Sequence, residues 1–149
     1  MKFYKTRDVK SPNRGTPESA GIDLFIPNDF ETQDLEPGES ILIPSGLKFD
    51  VPKGHALIAM NKSGIAVKKS LLVGACVIDE DYLGETHIDL KNVGEDVQTL
   101  TPGDKIIQLL CVPVDYVSLE EAETEEECFG DKLIASERGA GGFGSTGTK

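Results

Sequence analysis

Arg138, Phe143, Ser145 and Thr146 stand in the closing stretch ERGAGGFGSTGTK, spaced by five glycines. A cation, a stacking face and two hydroxyls are thus set among residues whose bare backbone lets amide groups approach a ligand. A glycine-rich end is equally what a disordered terminus looks like, so composition alone leaves both readings open. A second set lies in IDEDY, where Asp79, Glu80 and Asp81 follow one another. A positioned carboxylate there can act as a general base. Aspartate is also common at a hairpin tip, and both descriptions can hold for one residue. Metal chemistry of the zinc kind finds little support. The two histidines, His55 and His87, lie far apart, and Cys76, Cys111 and Cys128 lack ligand spacing.

The segments that must hold these residues are mostly strands. KFYKT and THIDLKN alternate, SILIPSGLKFDV is β-rich with a Pro-Ser-Gly interruption, and KIIQLLCVPV is a continuous apolar run suited to a buried strand. HALIAM is a further strand. Turn signals recur at Asn28-Asp29, Pro37-Gly38, Pro52-Lys53-Gly54 and Pro102-Gly103. Short strands so punctuated predict an all-β fold, an antiparallel barrel or jelly roll. KSGIAVKK is the one stretch that reads as a short helix. SLEEAETEEECFGDK is dense in glutamate and reads as a solvated connection, long enough to let the tail reach a distant place or another chain.

Bulk numbers set the frame. The 149 residues carry 26 acidic and 15 basic side chains, a formal charge of −11. That excludes a surface made to coat nucleic acid, and it requires any phosphate site to be a local basic pocket or to carry a metal. No apolar run reaches the roughly 20 residues of a membrane span, and MKFYKTRDVK lacks the apolar stretch of a signal peptide. The three cysteines read as reduced thiols, and the expected location is the cytoplasm, or the host cytoplasm for a viral protein.

Five stretches then carry a resemblance: SAGIDLF (19–25), NKSGIAVK (61–68), GACVIDEDYLGE (74–85), PGDKIIQL (102–109) and RGAGGFGSTG (138–147). In this order and at these intervals they resemble the motifs of the trimeric dUTP pyrophosphatases. The resemblance implies a distorted β-barrel of the jelly-roll type over 1–137, with the acidic connection near 118–132. It makes 138–149 a lid segment. It also implies hydrolysis of dUTP to dUMP and pyrophosphate, Mg²⁺ as cofactor, and a homotrimer whose sites are shared between chains, with neither nucleic acid nor membrane as partner.

Residue by residue, Asp79 matches the family's catalytic aspartate, which deprotonates the attacking water. Tyr82 matches the ring that packs on deoxyribose and rejects a 2′-hydroxyl. Ile78 lies in the hairpin that reads uracil through main-chain groups. Lys62, Ser63, Gly64 and Gln108 match phosphate-binding positions, and Asp23 a carboxylate reaching the metal through water. In the tail, Arg138 would reach the phosphates and Phe143 would stack on the base. Gly144, Ser145 and Thr146 would wrap the triphosphate. Three positions depart from the pattern: Lys62 replaces arginine, Asn61 replaces proline, and Cys76 stands where glycine is common. A lysine keeps the charge but gives up the planar fork. Two other readings compete. A dCTP deaminase, or a bifunctional deaminase and dUTPase, shares the fold and carries a glutamate where Asp89 aligns. A non-catalytic regulator would use the dUTP-bound lid as its signal.

Overall fold

The computed structural model describes residues 1–142. In chain order its elements are β1 (Lys2–Lys5), β2 (Ile22–Phe25), β3 (Gln33–Leu35), β4 (Ser40–Pro44), β5 (Leu47–Asp50) and β6 (His55–Asn61). There follow α1 (Ser63–Lys69), β7 (Leu71–Val73), β8 (Val77–Ile78), β9 (His87–Asn92), β10 (Gln98–Leu100), β11 (Lys105–Pro113), α2 (Glu125–Phe129) and α3 (Lys132–Ala135). Every strand pairing is antiparallel. One sheet runs β2-β11-β6-β8 and another β4-β9-β7, with the two-stranded pairs β1-β5 and β3-β10 beside them. Among the described residues no sheet closes on itself, which makes this a distorted jelly roll.

The strands expected from alternation are all present, and α1 occupies the stretch that reads as a helix. Inward side chains of the alternating strands meet in one core. Ile43 comes from β4, Leu47 from β5, Leu57 from β6, Ile88 and Leu90 from β9, and Leu109 from β11. Strand β11 departs from simple alternation. Its register against β2 shifts between Lys105 and Ile107, and this bulge turns the consecutive residues Ile106 and Ile107 both into the core. After the bulge, Gln108 stands opposite Asp23 on β2 and Met60 on β6. That shared row carries the cluster of Asp23, Lys105 and Gln108.

The chain divides into two compact units, Met1–Asp115 and Tyr116–Lys149. In the second, part of the glutamate-rich connection is helical where a solvated loop is expected. Thr124 explains the difference. Its hydroxyl accepts from Glu127 N at 3.1 Å, the Glu127 carboxylate accepts from Glu123 N at 2.8 Å, and Glu125, Glu126 and Glu127 occupy the first turn of α2. Acidic residues at a capped helix start are favourable, so the same glutamates that read as a charged loop support a helix. No helix among the described residues is long and apolar enough to cross a membrane.

Candidate active site

The hairpin after β7 carries the acidic turn. β8 pairs with β6, Leu57 opposite Ile78, and Ala59 N donates to Cys76 O at 2.7 Å. Paired on that side, the chain turns back directly after Ile78, with Tyr82 N donating to Asp79 O at 3.2 Å. The three acids of the turn have separate fates. The Glu80 carboxylate accepts from Gly54 N, bracing the turn between β5 and β6. Asp79 is exposed and lines a cleft of about 180 Å³, whereas neither Glu80 nor Asp81 is among its walls. The cleft also takes in Ile78, Tyr82, Cys76 and Thr86.

Tyr82 is held at its far end. Its hydroxyl donates to Glu85 O at 2.9 Å. The ring lies so close to Gly84 that a Cβ there would stand 2.4 Å from the phenol oxygen. Glu85 is fixed in turn, since its carboxylate accepts from Gly46 N at 2.7 Å and lies 3.6 Å from the Arg7 guanidinium. The ring is therefore 44% exposed yet tied down. The opposite rim depends on Asp89 of β9. Its carboxylate accepts from Ala75 N at 2.7 Å, and a Cβ at position 74 would fall 2.3 Å from it, so a side chain there would have to displace that carboxylate. Asn61, one of the departures, is also explained: its side chain accepts from Val73 N at 2.7 Å, and a proline could not do so.

A second cluster forms on the row shared by β2, β11 and β6. Asp23 is 4% exposed, and its carboxylate receives Lys62 on one oxygen and Lys105 at 3.0 Å on the other. Burial pushes the Asp23 carboxyl up. Hydrogen bonds from Lys62 and Lys105, with the charges of the two ammonium groups, outweigh burial and hold it below the usual carboxylate range. Gln108 donates to Asn61 O at 2.9 Å, at the point where β6 ends. Lys62 is the N-cap of α1, with Ser63 and Gly64 exposed in its first turn. Among the described residues no three His, Cys, Asp or Glu side chains gather to hold a metal ion.

Asp79, Ile78 and Tyr82 thus share one cleft, while Asp23 lies on β2, Gln108 on β11, and Lys62 just after β6, at the N-cap of α1. Arg138 lies in the second unit, where its Nε donates to Gly141 O at 2.9 Å. Phe143, Gly144, Ser145 and Thr146 lie outside the described residues. Sequence reasoning missed Leu42, Thr86 and His87 as cleft walls. For Thr86 a signal existed, because it occupies an inward position of the strictly alternating THIDLKN, where an apolar residue is expected.

Comparisons with known proteins agree along nearly the whole chain. The dUTPase family profile matches residues 7–147. The chain is 39% identical over 148 residues to the deoxyuridine 5′-triphosphate nucleotidohydrolase of Mus musculus, covering 99% of this chain and 85% of that protein. It is 41% identical over 139 residues to the enzyme of the same name from Bordetella avium, covering 91% and 87%. Among solved structures it is similar to a D95E mutant of the dUTPase of phage 80alpha, with TM-score 0.81, 26% identity, and 97% and 96% of the two chains covered. A G164S mutant of the Staphylococcus bacteriophage 80alpha dUTPase, solved with dUpNHpp, gives TM-score 0.80 at 25% identity over 98% and 97%.

Proposed function

The chain belongs to the dUTPase family and is a dUTP-hydrolysing enzyme, and we propose that it works at the cleft that holds Asp79 and Tyr82. One observation carries the assignment: of the three successive acids on the hairpin turn, Asp79 is the one that lines the cleft. Its carboxylate takes a proton from water as the water oxygen bonds to the α-phosphorus. The bond from that phosphorus to the bridging oxygen breaks, and dUMP and pyrophosphate leave. A base so placed contributes roughly 10²–10⁴-fold in rate. Tyr82, tied to Glu85 O, presents a fixed ring to the sugar, with neither room nor partner for a 2′-hydroxyl. Main-chain groups around Ile78 read the uracil.

Phosphate binding falls to Lys62, Ser63, Gly64 and Gln108. Lys62 is neutralised by Asp23 in the single chain, which keeps its charge from being left unpaired next to a buried carboxylate. Mg²⁺ is implied by the family. Among the described residues no cluster of carboxylates gathers to cage an ion, which suits one held chiefly by phosphate oxygens and water. Asp23 is the carboxylate we assign to its water shell, and it would have to give up Lys62 or Lys105 to serve there. When bound, it would offset negative charge on the triphosphate. From the tail, Arg138, Phe143, Gly144, Ser145 and Thr146 close over the nucleotide and exclude water. We further infer a cytoplasmic homotrimer with each site drawn from more than one chain. Supporting it, Leu42, Val67, Val77 and Leu83 are large apolar side chains exposed on the single chain.

The test is release of pyrophosphate from dUTP with and without Mg²⁺, by the wild type and by Asp79→Asn. Mg²⁺-dependent release that falls at least about a hundredfold in the variant, with nucleotide binding retained, is the expected outcome. Near-wild-type turnover by the variant would remove Asp79 from the role. Ammonia release from dCTP is expected to be absent, since the Asp89 carboxylate is engaged by Ala75 N.

A further inference from the structure

Among the described residues the buried polar or charged side chains are Asp23, Ser45, Thr86 and Asn92. Asp23 has its two lysines. The Ser45 hydroxyl accepts from Leu47 N at 3.2 Å. Asn92 donates to Leu35 O and Asp96 O at 2.9 and 2.8 Å and accepts from Gly94 N at 3.0 Å. Thr86 is the exception. It is 3% exposed, and its Oγ1 has no hydrogen-bond partner among the described residues. A valine would fill the same volume without burying an unpaired hydroxyl, so the hydroxyl calls for a reason.

The main chain cannot move to relieve it. Thr86 N donates to Leu47 O at 2.8 Å and Thr86 O accepts from Ser45 N at 3.0 Å, which pins the residue between β5 and the end of β4. What remains free is χ1, where a β-branched side chain has few wells, and one step between them exchanges methyl and hydroxyl positions. Thr86 is also part of the wall of the cleft that holds Asp79. The same wall holds Leu42, Ala75, Val77 and Ile78 together with Cys76, Asp79 and His87. The Tyr82 hydroxyl is engaged by Glu85 O, and the His87 ring lies 3.0 Å from that same oxygen.

We propose that Thr86 is a further substrate-binding residue, its hydroxyl pairing with a polar edge of the bound nucleobase directly or through one bridging water. A hydroxyl both donates and accepts, so it can serve a ring N–H or a carbonyl. The pairing recovers on binding what the buried hydroxyl costs the unliganded fold. The inference rests on the reading of this cleft as the deoxyuridine site.

The experiment compares wild type with Thr86→Val, which removes the hydroxyl and keeps the shape, and Thr86→Ser, which keeps the hydroxyl. Four quantities are measured: the melting temperature, the Kd of a non-hydrolysable α,β-imido analogue of dUTP, and kcat and KM for dUTP. The valine variant should melt at or above wild type and bind the analogue about five- to tenfold more weakly, as loss of one neutral hydrogen bond implies. KM should rise in step with kcat little changed, and the serine variant should keep near-wild-type affinity. A valine variant that is more stable and binds as tightly as wild type overturns the proposal, leaving the hydroxyl a cost to the fold with no ligand. Should the valine variant not melt cooperatively, Thr86→Ala makes the same comparison against Thr86→Ser. A wild type that neither hydrolyses dUTP nor binds the analogue removes the reading of the cleft itself. An active wild type with unaltered variants removes Thr86 alone.

Discussion

Tyr82 and Asp23 show how single side chains carry function and stability by different physics. The role proposed for the Tyr82 ring is to exclude a ribose hydroxyl by occupying space, so its loss should be felt in selectivity. Tyr82→Ala should narrow the ratio of kcat/KM for dUTP over UTP by more than it lowers dUTP affinity. An unchanged ratio would mean that the ring does not face the sugar. Asp23 acts through charge. Its carboxyl is held below the ordinary value, so the native state keeps it ionised where the unfolded chain protonates it. Stability from the Lys62–Asp23–Lys105 cluster is thus fully present above the unfolded pKa of about 4 and lost as pH falls through the folded value. Asp23→Asn should destabilise by about 2 kcal/mol at pH 7, and its difference from wild type should shrink progressively below about pH 4 in denaturant titrations. A pH-independent difference would show that the two lysines contribute packing and not charge. The acidic turn that carries Asp79, the carboxylate assigned to the base, was readable in the sequence because IDEDY is a resemblance-bearing motif. The partners of Asn61, Glu80 and Asp89 were not, since a side chain bonded to a main-chain amide of a distant strand leaves no spacing pattern.

At the level of elements, long alternating or apolar stretches such as HALIAM, THIDLKN and KIIQLLCVPV were legible because their period matches the face they bury. Strands β3, β7, β8 and β10 are two or three residues long. At that length periodicity carries no signal, and pairing with a longer neighbour makes the strand. The bulge in β11 escaped notice for a related reason: a continuous apolar run is blind to which side each residue faces. Helix α2 was hidden by its own charge. The hairpin is the element on which the cleft depends, and it is held from outside, by Asp89 at one rim and Glu85 at the other. Asp89→Ala should release the Ala75 amide, lower stability by about 1 kcal/mol and raise KM for dUTP severalfold with kcat less affected. A variant with wild-type KM would show that β7–β9 pairing alone sets the rim.

For the whole molecule, the strands form one unit, Met1–Asp115, and the segment proposed to close on the nucleotide begins at Arg138, after that unit ends. The architecture was legible as all-β from its turns and alternation. The expected homotrimer rested on the resemblance alone, because a face that would meet another copy of the chain reads in sequence like any surface strand. The central claim is one dUTP-hydrolysing site that takes its Asp79 hairpin and its closing tail from different chains of a trimer. The most direct measurement mixes Asp79→Asn with a variant lacking residues 138–149, refolds them together at equal amounts, and assays pyrophosphate release once trimer formation and subunit exchange are verified by ultracentrifugation. Each parent alone should be nearly inactive, and random assembly should give roughly one quarter of sites both intact parts, with activity well above either parent. Exchanged trimers that recover no activity would contradict the claim and return the tail to its own barrel.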